Sequence, residues 1–471
     1  MGQGIELAGK RVLVVGLART GVATALFCAA RGAQVTATET RAEADVAEAA
    51  VKLRAAGCRL ELGGHHEEAF LAQDLIIPSP GVAPEMACLA AARAKGIPVW
   101  SEVELASRFL KGRLVGVTGS NGKTTTASLL AHILKRAQFP TLLAGNIGTP
   151  LVARVEDMSD RSVSVVELSS FQLELIETFR PHVAVLLNVT PDHLDRHSSL
   201  EAYGRAKARI FENQTEQDSA VLNADDVVAA GYAPSRPQVF WFSRIKRPAR
   251  GAFLRGEEVM FRRDGEESVL LRLGDIGLRG EHNVENVLAA AAAAFLVGAH
   301  PGDIAEGVRS FAGVEHRLEF VAEVRGVSYY NDSKATNVDA ALKALDAFAG
   351  RVIVILGGKD KGSDYSLLQG PLREKALAAL LIGAAAEKIE RQIAGSVPTV
   401  RAATLERALE LAAERARAGD TVLLAPACAS FDQFESYEHR GRVFKQFVRQ
   451  IEQKTASFAG SRASRLPGKG E

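Results

Sequence analysis

Short runs of consecutive apolar residues alternate with stretches of helical periodicity along almost the whole chain. KRVLVVG (10–16) precedes a helical GVATALFCAARG, and AQVTATE and DLIIPSPG follow. LVGVTG (114–119) leads into KTTTASLLAHILKRA, and SVSVVELSS and HVAVLLNVT come next. Near the end lie RVIVILGG (351–358), ALLIGAA (379–385) and DTVLLAPA (420–427). Buried parallel strands read as unbroken Val/Ile/Leu runs, and helices between them make the crossovers, so the pattern predicts an α/β protein. Fresh series of strands begin near residues 102 and 313. Three domains are therefore expected, 1–102, 103–313 and 314–471, with a frayed tail from about residue 455. Segment 236–275 differs: its apolar and polar positions alternate around an RDGEES turn, which predicts antiparallel strands appended to the middle domain. The Ala-rich run 287–299 falls short of the roughly 20 apolar residues that span a bilayer and predicts a buried helix instead.

Composition narrows the class. The chain has 471 residues, 47% hydrophobic and 24% charged, as in a globular protein of several domains. Lys+Arg at 57 against Asp+Glu at 56 leaves a net charge of +1. That balance argues against broad binding to nucleic acid or an anionic membrane, though not against a local basic pocket. Four scattered cysteines with no C-x-x-C pair point to a reducing compartment. The N-terminus has no signal-peptide core, and a cytoplasmic location is expected.

The chemistry begins at VGVTGSNGKTTTASLL (115–130). A Walker loop read back from Gly122, Lys123 and Thr124 asks for glycine at 117, where this chain has Val117. The strand–loop–helix context still suits a phosphate cradle. Glycines turn backbone N–H groups inward, and a helix N-terminus offers unpaired donors and a positive dipole end. Lys123 can bridge phosphates and Thr124 can ligate Mg²⁺. Polar residues at the ends of later strands fit the same site: Glu167, then Asn188, Asp192, His193 and Asp195, since ligands of open parallel sheets bind at carboxyl strand ends. Glu167 beside a triphosphate is a natural Mg²⁺ ligand. His193 and His197, four apart, invite zinc, but no third ligand follows and Pro191 disfavours a helix through them. Adjacent histidines at 65 and 66 read as an exposed loop. VLVVGLARTG is a degraded dinucleotide fingerprint followed by Glu39, Thr40 and Arg41; a dehydrogenase would want an acid there for the ribose, but the same geometry can hold the diphosphate and ribose of a nucleotide-sugar, and no other part of the chain points to hydride chemistry. Loops at YYNDSKATN, GGKDKGSDYS and APACASFDQFESYEHRGRVF, each after a strand, suggest a polar-ligand pocket.

TGSNGKTT, NVTPDHLDRH, NDSKATN, GGKDKG and PACASFDQF, in that order along nearly the whole chain, resemble the Mur ligases, ATP-dependent amide-forming enzymes of peptidoglycan precursor synthesis. The family loop does not require the first Walker glycine. The resemblance implies a Rossmann-like UDP-binding domain, a central ATPase domain and a Rossmann-like amino-acid-binding domain. The implied reaction is ligation of D-glutamate to UDP-N-acetylmuramoyl-L-alanine through an acyl phosphate and a tetrahedral intermediate, with ATP and two Mg²⁺ ions, by a monomer.

The resemblance also implies roles for particular residues. Gly119, Ser120, Asn121, Gly122, Lys123, Thr124 and Thr125 cradle the phosphates. Asn283 and Asn286 lie on the adenine side, and Arg317 and Asp332 on the ATP side. Thr124, Glu167, His193 and Lys207 hold metal, Lys207 as a carbamate; read without the resemblance, Lys207 is a surface helical lysine. Arg19, Thr20, Thr40, Arg41 and Gly81 take uridine and its diphosphate, with Asn146 and His193 on the sugar substrate. Lys334, Thr336, Ser430 and Phe431 form the D-glutamate pocket. Ala18, Arg19 and Tyr437 depart from the residues common in relatives. The rivals are a ligase adding another amino acid or acting on folate, a nucleotide-switched scaffold without catalysis, and a nicotinamide dehydrogenase.

Overall fold

The computed structural model describes residues 5–192 and 196–463, those after 453 as backbone only. Its strands form three sheets. The first holds β1 (Arg11–Val15), β2 (Gln34–Glu39), β3 (Arg59–Leu62) and β4 (Leu75–Pro78), all parallel, in the order β3-β2-β1-β4. The second holds β5 (Arg113–Thr118), β6 (Thr141–Gly145), β7 (Val163–Glu167), β8 (Val183–Leu186), β9 (Ser219–Asn223), β10 (Gln238–Ser243), β11 (Gly251–Arg255), β12 (Glu258–Arg263) and β13 (Glu266–Arg272). Its order is β13-β12-β11-β10-β9-β8-β5-β7-β6. The third holds β14 (Glu319–Val324), β15 (Val327–Asn331), β16 (Val352–Gly357), β17 (Ala376–Ile382), β18 (Thr399–Ala403) and β19 (Thr421–Leu424), in the order β14-β15-β19-β16-β17-β18.

The topology positions two candidate sites. In the second sheet β5 lies between β8 and β7, so the winding reverses there, and the crevice beyond the carboxyl end of β5 is where such sheets bind ligands. In the third sheet β15, β19 and β16 are parallel neighbours. Their carboxyl ends bring the loops NDSKATN, APACASFDQF and GGKDKG together, although about 100 residues separate the first from the second.

Segment 236–275 departs in part from the expectation. β10 runs parallel to both β9 and β11, and antiparallel pairing begins only at β11–β12 and β12–β13. The alternation in QVFWFS has another cause. Phe240 and Phe242 are buried on one face while Val239 and Trp241 are half-buried on the other, and one-sided burial gives period two whatever the strand direction. The Ala-rich run lies in the helix Glu281–Val297, where Val287 through Ala294 are fully buried, as expected. The last helix, Tyr437–Ala463, runs into the segment expected as a tail. Among the described residues no helix is long and apolar enough to cross a membrane.

The chain forms two compact units, Met1–Gly277 with Val284–Phe311, and Leu278–Asn283 with Ala312–Glu471. The first and second sheets share one unit and one hydrophobic cluster, which includes Val12, Trp100, Val103, Leu151 and Leu173. Two buried acids reinforce that seam. Glu104 accepts N–H bonds from Glu177, Thr178 and Phe179 and an ion pair from Arg108. Glu102 accepts from the Val152 N–H at 2.6 Å, and burial pushes its carboxyl up to about 7.

Candidate active site

The phosphate loop is shorter than a Walker loop because β5 continues through position 117. Val117 pairs with Glu167 and Val185 in the sheet, and its side chain is fully buried in the core. The loop proper is Gly119 to Gly122, and the helix Lys123–Arg136 starts at once. Gly122 sits at φ 85°, the left-handed region that side chains disfavour. A Cβ there would lie 2.2 Å from Asn286 Oδ1, so the glycine is also required by a close neighbour. Loop and neighbouring strand are stitched together. Asn121 N donates to Asn188 Oδ1 at 2.8 Å, Asn188 Nδ2 donates back to Asn121 O, and Thr190 N donates to Ser120 Oγ. The loop is thus held by groups other than its ligand.

Three charged side chains converge on this loop. Lys123 Nζ donates to Gly119 O and Ser120 O, each at 2.8 Å. Lys207 Nζ donates to the same Gly119 O at 2.8 Å and lies 4.2 Å from the Tyr203 ring centroid. Lys207 is 1% exposed, so the surface-lysine reading is wrong. Its periodicity misleads because the exposed face of this helix ends before position 207; Tyr203, Gly204 and Ala206 are buried with it. Burial, and then the Lys123 ammonium, push the Lys207 amine well below the lysine range, against the opposing pull of Asp192 and Glu167. Glu167, 2% exposed at the end of β7, accepts from Asn146 Nδ2 at 3.2 Å with one oxygen. Its other oxygen has no hydrogen-bond partner among the described residues. A buried carboxylate oxygen without a donor suits a cation.

The N-terminal loop has the same plan and a different filling. Gly16, Leu17 and Ala18 join β1 to the helix Arg19–Ala30. The helix can sit close because position 21 is glycine; a Cβ there would lie 1.8 Å from Gly16 O. Glu39 at the end of β2 accepts from Leu17 N at 2.9 Å and from Arg41 Nη2 at 2.8 Å. Those bonds, the Arg41 one first, hold its carboxyl down at about 2. Ser79 donates to Gly16 O. Arg19, Thr40, Arg41 and Gly81 are exposed and Thr20 is half-buried. His65 is not in an exposed loop: it is half-buried, 2.9 Å from Thr38 Oγ1, with its ring edge-on to Phe70. The polar neighbours in GGHHEE hid this packing.

In the second unit, Lys334 Nζ donates to Tyr437 Oη at 2.8 Å. Ser430 is buried and Phe431 is 67% exposed. Arg440, fully buried, donates to Ser333 Oγ and O and to Cys428 O, tying the loops that carry Lys334 and Ser430 to each other. Burial lifts the Asp332 carboxyl to about 7 despite Arg317. Asn283 Nδ2 donates to Arg279 O.

Three matches cover most of the chain: the Mur ligase MurD-like N-terminal domain over residues 10–101, the Mur ligase middle domain over 117–294, and the Mur ligase glutamate ligase domain over 316–428. A UDP-N-acetylmuramoylalanine–D-glutamate ligase of Koribacter versatilis is 51% identical over 448 residues, 95% of this chain and 99% of that one. The chain belongs to the Mur ligase family. Enzymes of the same name from Acidobacterium capsulatum and Solibacter usitatus are 52% and 53% identical, covering 94% and 96% of this chain and 97% and 100% of theirs. The fold is similar to a pseudomurein peptide ligase type C of Methanothermus fervidus, with a TM-score of 0.58 and 22% identity over 94% of this chain and 100% of that one. It is similar also to the UDP-N-acetylmuramate–alanine ligase MurC of Thermotoga maritima, with a TM-score of 0.57 and 20% identity over 94% and 99%.

In this Mur ligase the first unit brings Gly119 to Thr125, Asn146, Glu167, Lys207 and Asn286 around one crevice. His193 and Asp195 lie outside the described residues. Sequence reading missed Tyr203, Arg440, and the pair Glu102 and Glu104. A charged residue at a helical apolar position was the available signal for Glu104 and Arg440. Tyr203 carried none.

Proposed function

We propose that this Mur ligase joins D-glutamate to UDP-N-acetylmuramoyl-L-alanine, converting ATP to ADP and phosphate, in the cytoplasm and as a monomer. The supporting observation is the 51–53% identity to three ligases of that name across 94–96% of the chain. On this reading residues 1–102 bind the UDP-substrate, 103–313 bind ATP and 314–471 bind the amino acid.

A carboxylate is a poor electrophile. Its oxygen attacks the γ-phosphorus, the bond to ADP breaks, and an acyl phosphate forms. The D-glutamate amine then attacks the acyl carbon and loses a proton, and the tetrahedral intermediate expels phosphate. The first step brings two anions together, so cations must be fixed in advance. Lys123 leaves two neutral carbonyls for a charged phosphate, a stronger acceptor. The N–H groups of Gly122 to Thr125 add fixed dipoles. Thr124 and Glu167 would hold one Mg²⁺ and His193 a second. Mg²⁺, when bound, neutralises phosphate charge and polarises the γ-phosphorus. Burial and the Lys123 ammonium push the Lys207 amine down, which favours the neutral form that adds to CO₂, loses a proton and becomes a carbamate that can ligate metal.

Arg19, Thr20, Thr40, Arg41 and Gly81 hold uridine and diphosphate, and Asn146 and His193 face the sugar substrate. Asn283 and Asn286 take adenine, with Arg317 and Asp332 on the ATP side. Lys334, Thr336, Ser430 and Phe431 receive D-glutamate, Lys334 neutralising its side-chain carboxylate. Phosphate release is measured with ATP, UDP-N-acetylmuramoyl-L-alanine and one of D-glutamate, L-glutamate, L-lysine or diaminopimelate. Turnover is expected with D-glutamate alone; turnover with L-lysine and none with D-glutamate overturns the proposal.

A further inference from the structure

One hydrogen-bonded cluster beside the phosphate loop has no part in that chemistry. Ser170 Oγ lies 3.0 Å from His197 Nε2, and His197 Nδ1 lies 3.4 Å from Glu174 Oε1. The order Ser–His–Glu is that of a hydrolase triad. Burial excludes that use: Ser170 is 2% exposed and His197 4%, so no acyl group can reach the hydroxyl. The ring is also clamped. It stacks on Phe171 at 5.6 Å and 15°, and it also packs against Tyr203 at 5.0 Å.

The cluster's position gives it a different task. Ser170 opens the short helix Ser170–Leu173, three residues after Glu167. Tyr203 lies on the helix Leu200–Ala208, one turn before Lys207. The Tyr203 ring lies under the Lys207 amine, which donates to Gly119 O of the phosphate loop. His197 therefore bridges the short helix that follows Glu167 to the helix that carries Lys207. Arg196 beside it donates to Val82 O, pairs with Glu174 at 3.5 Å and covers the Phe171 ring. At the far end Arg209 donates to Glu174 O and Ile176 O. With that second tie in place, loss of His197 lets the two elements shift without unfolding either.

We infer that His197 is a positioning residue, which through Ser170 and Tyr203 sets the spacing of Glu167 and Lys207, the two groups proposed to share a metal. Its two functions separate by substitution. His197→Gln keeps an amide to bond Ser170 and loses the ring; His197→Phe keeps the ring and loses both bonds. This inference rests on the proposed metal roles of Glu167 and Lys207, not on the identity of the amino acid.

The readout is Mn²⁺ affinity by electron paramagnetic resonance, with a non-hydrolysable ATP analogue and no turnover, together with the Mg²⁺ midpoint of the ligase reaction. His197→Phe is expected to weaken both about tenfold, through the loss of its links to Ser170 and Glu174. Ser170→Ala, which removes one bond, is expected to weaken them about threefold, and His197→Gln to recover most of the loss. The KM for D-glutamate and the thermal midpoint stay within experimental scatter of the parent. Unchanged Mn²⁺ affinity in His197→Phe and Ser170→Ala overturns the inference. So does a loss that follows the thermal midpoint and is not recovered by His197→Gln. A parent enzyme that fails to ligate D-glutamate sinks the functional proposal but leaves the Mn²⁺ comparison standing.

Discussion

Two strand–loop–helix turns in the first unit share a backbone plan and carry opposite charge. At Gly16 to Ala18 the inward-facing Leu17 N–H is already taken by the Glu39 carboxylate. At Gly119 to Gly122 two lysines share the Gly119 carbonyl. A loop whose donor is occupied by an acid repels phosphate at that point and favours a ligand that brings donors, such as a base or ribose. A loop that the Lys123 ammonium approaches suits an anion. On the proposed function, ligand class follows from which charge fills the turn, and the turn itself is common to both.

The sharpest way to break the contrast is Lys123→Ala. Ligation is expected to fall at least about a thousandfold, since one fixed donor to developing charge is worth about 10²–10³ and Lys123 carries a full charge. Near-normal steady-state turnover would remove the loop from the mechanism. Lys207→Ala comes next, with a loss of about a hundredfold, partly restored by short carboxylic acids that replace the carbamate; absence of rescue at millimolar formate or acetate would count against the carbamate. For the other loop, Glu39→Gln is expected to raise the KM for the UDP-substrate about tenfold and leave that for ATP unchanged. Equal rises in both would erase the distinction. Because the folded carboxyl of Glu39 titrates at about 2, below its unfolded range, its contribution to stability is complete above about pH 4.3 and is lost as pH falls toward 2.

The smallest effect concerns a buried acid outside both loops. Glu102 has a carboxyl raised to about 7, so it is neutral when folded at pH 5 and has a charge to bury at pH 8. Folding must then hold back an ionisation that the unfolded chain completes near pH 4.3, and the penalty grows up to about pH 7. Glu102→Gln is expected to raise the thermal midpoint by about 2–4 °C at pH 8 and to leave it nearly unchanged at pH 5. A shift of equal size at both pH values would refute the assignment.

Much of this could be read along the chain. Unbroken Val/Ile/Leu runs located the parallel strands, because burial on both faces leaves no polar position. The order of the strands within each sheet could not be read, and with it the meeting of NDSKATN, GGKDKG and APACASFDQF at three adjacent strand ends. The phosphate loop was visible as glycines before a lysine and a helix. The state of Lys207 was not: helical periodicity counts residues on one helix, whereas its burial comes from the loop and ring packed over it. His65 failed in the same way. Tyr437 stood out as a departure, and the structure shows its hydroxyl on the Lys334 ammonium, a partner no phenylalanine could supply.

The missing Cβ of Gly122 has a consequence at a distance. Asn286 Oδ1 fills the space where that carbon would be, and Thr126 Oγ1 donates to the same oxygen at 3.3 Å. With Asn286 at the base and Gly122 at the phosphates, as proposed, the two ends of the nucleotide are gripped by jaws riveted at one atom. The site then works as a caliper of fixed gauge, reading the length of its ligand as well as its charge.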